Sequence, residues 1–172
     1  MDLIERFKAE ARESRKRIVF PEGDDERIVK AAEAVTSDGF AEAVVLGKQD
    51  EVEALATQCG ANLKGVTVID PKTSGELGRY AAEYSRRKPE ISENVAARLL
   101  RRPLLYGAMM VSVGDADGAV GGVANATARV IEAGGLTIGY QKGITVASSF
   151  LSWSCLNALA RRTRCSFLPT AR

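Results

Sequence analysis

The sequence predicts an α/β protein in which a mostly parallel sheet carries helices on both faces. Short apolar segments at 18–20, 43–46 and 66–69 alternate with longer stretches of helical periodicity. Each short segment runs straight into a turn signal: Pro21, Gly47 or Asp70-Pro71. Strands buried on both faces and separated by helices build a parallel sheet between two helical layers.

The elements follow in order. Residues 3–16 read as a helix with Leu3, Ile4, Phe7 and Ala11 on one face. Residues 18–20 form a short buried strand closed by Pro21. The stretch GDDERIVKAAEAVTSDG at 23–39 is a helix with acidic residues in its first turn, where they complement the helix dipole, and Gly39 as its stop. Residues 43–46 make a second strand, 49–58 a helix and 66–69 a third strand. Residues 75–101 supply helical material broken near Pro89. The apolar run 104–113 reads as a helix, 118–120 as another strand, and a last helix begins near Thr127. Ligands of such sheets sit beyond the carboxyl ends of the strands. Pro21-Glu22-Gly23, Gly47, Asp70-Pro71 and Gly121-Gly122 all fall there.

The run GDADGAVGGVAN at 114–125 stands out. Taken with the apolar YGAMMV before it and the helix after it, it has the layout strand, tight turn, helix. Successive glycines let backbone N–H groups approach a ligand, and the helix N-terminus behind them favours phosphate or carboxylate, so the run suits an anion cradle. The competing reading is that these glycines only turn the chain between packed elements.

Composition narrows the chemistry. At 172 residues with 45% hydrophobic and 27% charged residues, the chain has the make-up of a globular domain. No apolar run reaches the length of a membrane span, and the charged amphipathic start lacks a signal-peptide core, so a cytoplasmic protein is expected. Cys59, Cys155 and Cys165 lack the spacing of a zinc site or disulfide framework. The chain contains no histidine, which removes the commonest general base and all His-dependent triads and metal sites. The net charge of +2 hides an asymmetry: residues 151–172 hold Arg161, Arg162, Arg164 and Arg172 and no acid. That tail lacks a helical or RNA-binding pattern, and no nucleic-acid partner is expected.

Several blocks together resemble the phosphate acetyltransferase family, within the wider phosphate acetyl/butyryl transferases. They are IVFPEGDDERIVKAA at 18–32, AVVLG at 43–47, VIDP at 68–71, YAAEYSRRK at 80–88, YGAMMVSVGDADGAVGGVANATA at 106–128 and the TIGYQKG…ASSF run ending at Phe150. Each block alone is weak; their joint order is specific. The resemblance implies a two-domain α/β/α fold like that of the isocitrate and isopropylmalate dehydrogenases. It also implies reversible acetyl transfer between acetyl-CoA and inorganic phosphate, giving acetyl phosphate and coenzyme A. Coenzyme A enters as a substrate, no cofactor or metal is needed, and full-length members are homo-oligomeric. A dinucleotide-binding dehydrogenase fares worse, because no G-x-G-x-x-G opens a helix after the first strand.

By the same resemblance, Arg86 matches an arginine that meets coenzyme A or phosphate, with Arg87 an adjacent rival and a solvated helix arginine the plain alternative. Thr127 falls where the family places a hydroxyl near the phosphate, and Asn125 opens that segment; both residue types also cap helices. Where the family carries an arginine in a Leu-Arg step, this chain reads ATARVIEAG and places Glu132. A carboxylate repels phosphate, and Arg129, three residues earlier on the same face, is the candidate substitute. This leaves butyryl or another short acyl chain open beside acetyl, and a noncatalytic coenzyme A- or phosphate-binding or regulatory fragment as a second class. Asp115 and Asp117 look structural, ending one element and turning the chain.

Family members are about twice this length, and the resemblance is carried by residues up to Phe150. The expectation is that residues 1–150 are the N-terminal part of the acyltransferase's first domain. Residues 151–172 read as an out-of-frame tail, since permitted codons for the seven residues from Leu151 yield a family-like Leu-Met-Val-Leu-Pro-Glu in a shifted frame. On that reading the chain is truncated: it lacks the family's C-terminal catalytic segment, with its serine, arginine and aspartate base, and turns over little or nothing alone.

Overall fold

A computed structural model describes residues 3–144 and Ala147. Of these, the residues up to Gly139 form one compact unit and those from Tyr140 on belong to a second. The tail at 151–172, with Cys155 and Cys165, lies outside the described residues. Of the second unit, the described part includes a turn closed by Ile144 N–H donating to the Gln141 carbonyl at 2.9 Å.

The first unit runs α1 (Leu3–Ser14), β1 (Lys16–Phe20), α2 (Glu26–Ser37), β2 (Ala41–Leu46), α3 (Gln49–Cys59), β3 (Thr67–Ile69), α4 (Leu77–Arg87), α5 (Glu93–Leu100), α6 (Pro103–Val113), β4 (Gly118–Ala119) and α7 (Thr127–Thr137). The strands form one parallel sheet in the order β3-β2-β1-β4. Val19 pairs with Val44 on one side and Ala119 on the other.

Alternation along the strands assigns the two faces. Val19, Val44 and Leu46 join the buried core formed with α4, α5 and α6, which also takes Ala133 of α7. Phe20, Ala43 and Val45 point the other way into a core with Ile28, Val29 and Ala32 of α2 and Val52 and Ala56 of α3. The result is the three-layer α/β/α arrangement expected from the sequence. Burying a side chain such as Leu46 or Met109 stabilises the fold by roughly 1.5–3 kcal/mol.

Local chemistry sets the ends. Asp25 caps α2 by accepting the Arg27 N–H at 2.9 Å, and the helix stops before Gly39 at φ +72°. The break near Pro89 separates α4 from α5, as expected. The helix read over 104–113 is present as α6, which starts on Pro103 and ends at Gly114 in a left-handed conformation; the competing layout that made YGAMMV a strand is overturned. Leu105 to Met110 are all buried, so the helix has no polar face to reveal its period. The strand preceding the glycine-rich turn is β4.

Asp115 and Asp117 hold the sheet edge together. Asp115 accepts from Arg79 and from the hydroxyl of buried Tyr80. Asp117 accepts from the Arg17 N–H and the Lys16 ammonium, both at 2.8 Å.

Candidate functional site

Because β1 and β4 are adjacent and parallel, the segments leaving their carboxyl ends meet. After Phe20 comes Pro21-Glu22-Gly23; after Ala119 comes the chain from Val120 to Ala126. The two are registered by the Val120 N–H, which donates to the Val19 carbonyl at 2.9 Å.

Glu22 is 2% exposed, and its carboxylate lies inside the glycine-rich loop. Oε2 accepts the N–H groups of Gly122 at 2.8 Å and Val123 at 2.9 Å. Oε1 accepts the N–H of Ala124 at 3.0 Å and of Asn125 at 2.7 Å, and Asn125 Nδ2 at 2.8 Å. Four consecutive backbone N–H groups converge on one anion, the arrangement of a backbone nest. Gly122, at φ +108°, makes the turn that aims them. Burial pushes the Glu22 carboxyl up, but the bonds from Asn125, Val123 and Gly122 outweigh it and hold the group below the ordinary carboxylate range.

The run at 114–125 therefore does more than turn the chain. It cradles an anion, and the anion is the protein's own. Arg27 braces the same loop, donating to the Val123 carbonyl at 3.3 Å while held by Asp25 at 2.9 and 2.7 Å. Hydrogen bonds from Arg27 in turn hold the Asp25 carboxyl down to about 2. On the other side, Gly23 donates to the Leu46 carbonyl at 3.2 Å, so close that a Cβ on residue 23 would lie 2.6 Å from that oxygen.

Against this braced loop lies a cleft of about 620 Å³. Its lining comes from three places: Pro21 and Asp24 after β1, Arg102 to Leu105 at the start of α6, and Asn125, Arg129, Glu132, Ala133 and Leu136 on and before α7. It sits at the carboxyl end of β1 and β4, where ligands of parallel sheets bind. Two arginines and two carboxylates line it, and among the described residues none of the four is within 4.0 Å of an opposite charge.

The structure brings two of the four candidate binding residues to this cleft, Asn125 and Arg129. Neither Asn125 nor Thr127 caps α7: Ala126 is the N-cap and no side-chain cap bond forms. The Asn125 amide goes to Glu22 instead. Thr127 is the first residue of α7, exposed, and absent from the cleft lining. Arg86 stands apart on α4, with its side chain 71% exposed and its fork on Glu83 at 2.8 and 2.7 Å. Its rival Arg87 shares Glu83 at 2.7 Å and reaches the Ser112 hydroxyl and carbonyl, tying α4 to α6.

Two residues were not singled out from the sequence. Glu22 carried a signal in hindsight, since a glutamate between Pro and Gly directly after a buried strand must find donors. Arg102 precedes Pro103 at a helix start and carried none.

The family model for phosphate acetyl/butaryl transferases matches residues 2–170. The chain belongs to that family. The match includes most of the segment after Phe150 that the sequence reading set apart. A phosphate acetyltransferase of Treponema pallidum (strain Nichols) is 33% identical over 180 aligned residues, covering 99% of this chain and 54% of the relative. Among solved structures, a phosphotransacetylase from Streptococcus pyogenes superimposes with a TM-score of 0.77 at 30% identity, over 88% of this chain and 48% of the other. The EutD phosphotransacetylase from Staphylococcus aureus gives 0.78 at 25% identity, over 90% and 49%. The chain thus spans about half the length of these relatives. Among the described residues, no helix is long and apolar enough to cross a membrane.

Proposed function

We propose that the cleft between the Pro21–Asp24 loop, the start of α6 and the face of α7 binds coenzyme A and phosphate, and that the family's reaction in this protein is acetyl transfer between them. In that reaction a phosphate oxygen attacks the carbonyl of acetyl-CoA, the carbon–sulfur bond breaks, and the thiolate leaves and takes up a proton, giving acetyl phosphate and coenzyme A. The reverse reaction needs the thiolate as nucleophile. Fixed donors that hold phosphate and developing oxyanion charge lower the barrier in both directions.

The observation that carries this reading is the placement of Asn125 and Arg129 in one cleft beside a loop braced by Glu22 and Arg27. With its Nδ2 held by Glu22, the Asn125 side chain is oriented before a ligand arrives. Arg129 supplies a cation, and Thr127 stands at the start of the same helix.

Glu132 in the lining supports a second reading, a module that binds coenzyme A or phosphate without turnover, because a carboxylate there opposes the charge of the transferred group. Titration with coenzyme A, together with an assay of thiol release from acetyl-CoA in the presence of phosphate, separates the two. Turnover supports the acyltransferase, binding without turnover supports the module, and absence of binding overturns both. Running the same assay with butyryl-CoA sets the acyl-chain preference.

A further inference from the structure

We infer that Arg102 is a second phosphate-binding residue of this cleft and that it offsets the negative excess of the rest of the lining; this rests on the coenzyme A and phosphate reading above. Without Arg102 the ionisable lining is Asp24, Glu132 and Arg129, an excess of negative charge. Arg129 and Glu132 lie three residues apart on α7, so Glu132 offsets the one cation that helix contributes. Such a lining repels phosphate.

Arg102 changes the balance from a different element. It lies directly before α6, a different element from α7, and lines the same space. It has no carboxylate within 4.0 Å among the described residues, so its guanidinium is not already committed to one. Two guanidinium groups from different elements that line one cleft can each offer a planar fork of donors to a phosphate, for which arginine is better suited than lysine. The ligand class is a phosphate monoester, diphosphate or free phosphate.

Arg102 makes no side-chain cap bond to α6, so replacing it leaves the helix start intact. Its neighbour Arg101 does not line the cleft and serves as the control. The test is calorimetric titration of the 172-residue chain and its Arg102→Gln, Arg102→Lys and Arg101→Gln variants, with inorganic phosphate and with coenzyme A, at low and moderate salt. Thermal unfolding checks each variant's fold.

Arg102→Gln should weaken binding roughly tenfold, as expected for loss of a charge-assisted fork, while Arg101→Gln stays near wild type. Arg102→Lys keeps the charge and loses the fork, so it should fall between. If Arg102→Gln does not fold, the drop from wild type to Arg102→Lys carries the test. A loss seen with both ligands assigns Arg102 to the free phosphate site; a loss with coenzyme A alone assigns it to the carrier's own phosphates. Wild-type affinity in Arg102→Gln, or an equal loss in Arg101→Gln, overturns the inference while leaving the cleft reading in place. If the wild-type chain binds neither ligand, the cleft reading itself fails.

Discussion

Asn125 gives Glu22 two hydrogen bonds on the same oxygen, from its backbone N–H at 2.7 Å and from its side-chain Nδ2 at 2.8 Å. One residue of the cleft wall is thereby locked to a buried carboxylate in the adjacent strand connection. Stability and site geometry are coupled at this point.

Replacing Glu22 with Gln removes the charge and presents an NH2 group to N–H donors. Two backbone N–H groups lose their partner in a buried setting, which should cost roughly 2–4 kcal/mol. Urea denaturation measures it as a lowered midpoint; a midpoint at the wild-type value would mean the cradle contributes nothing.

Substitution at Asn125 separates lost bonding from repulsion. Asn125→Ala removes one side-chain bond and should cost about 1 kcal/mol. Asn125→Asp sets a second carboxylate against Glu22 and should cost more at neutral pH, with the difference shrinking in acid as one carboxyl takes up a proton. Equal stability of the two variants at pH 7 would contradict the geometry.

Acid sensitivity follows from the depressed carboxyls. Glu22 lies below its ordinary value, and Glu83, bonded to Arg86 and Arg87, is held down to about 2. A carboxyl with a lowered folded pKa stabilises the fold above its unfolded pKa, and that stabilisation is lost as pH falls through the folded value. Stability should therefore be level near neutrality and decline below about pH 4.5, more shallowly in Glu22→Gln. Urea midpoints across that range give the slopes; parallel slopes would remove Glu22 from the account.

Gly23→Ala tests the close approach of the two strand connections. The added Cβ would sit 2.6 Å from both the Leu46 carbonyl oxygen and Val45 Cγ1. Backbone must shift to relieve the first of these, and a loss of about 1–3 kcal/mol is expected. An unchanged thermal midpoint would show that the loop after β1 moves freely.

Glu132→Gln should act on binding and leave stability alone, because the side chain is exposed and has no ion-pair partner among the described residues. Removing its charge should tighten coenzyme A or phosphate binding by roughly three- to tenfold at low ionic strength, with the gain shrinking as salt is added. Calorimetric titration reads this directly, and weaker binding would reverse the role assigned to Glu132.

Much of this architecture was legible in the sequence because the strands are short, apolar and punctuated. β2 and α3 lie almost where their residues predict. α6 was ambiguous because an all-apolar helix erases its own period. Asn125 and Arg129 were indicated by the family resemblance, but the partner of the glycine run was not. Glu22 reaches it only because β1 and β4 are neighbours in the sheet, a pairing no local pattern encodes. For Arg86 the local chemistry was readable: its partner Glu83 sits three residues earlier on the same helix, a pairing that spacing alone indicates.

Glu22 and the loop that encloses it are a hundred or more positions apart in the chain. Closing so long a loop costs entropy before any of the five bonds forms, so the clasp is expected to form late in folding rather than in the nucleus. Weakening it should hasten unfolding and leave the refolding rate nearly untouched. The binding wall would then be the final part of the domain to take shape and the first to come apart.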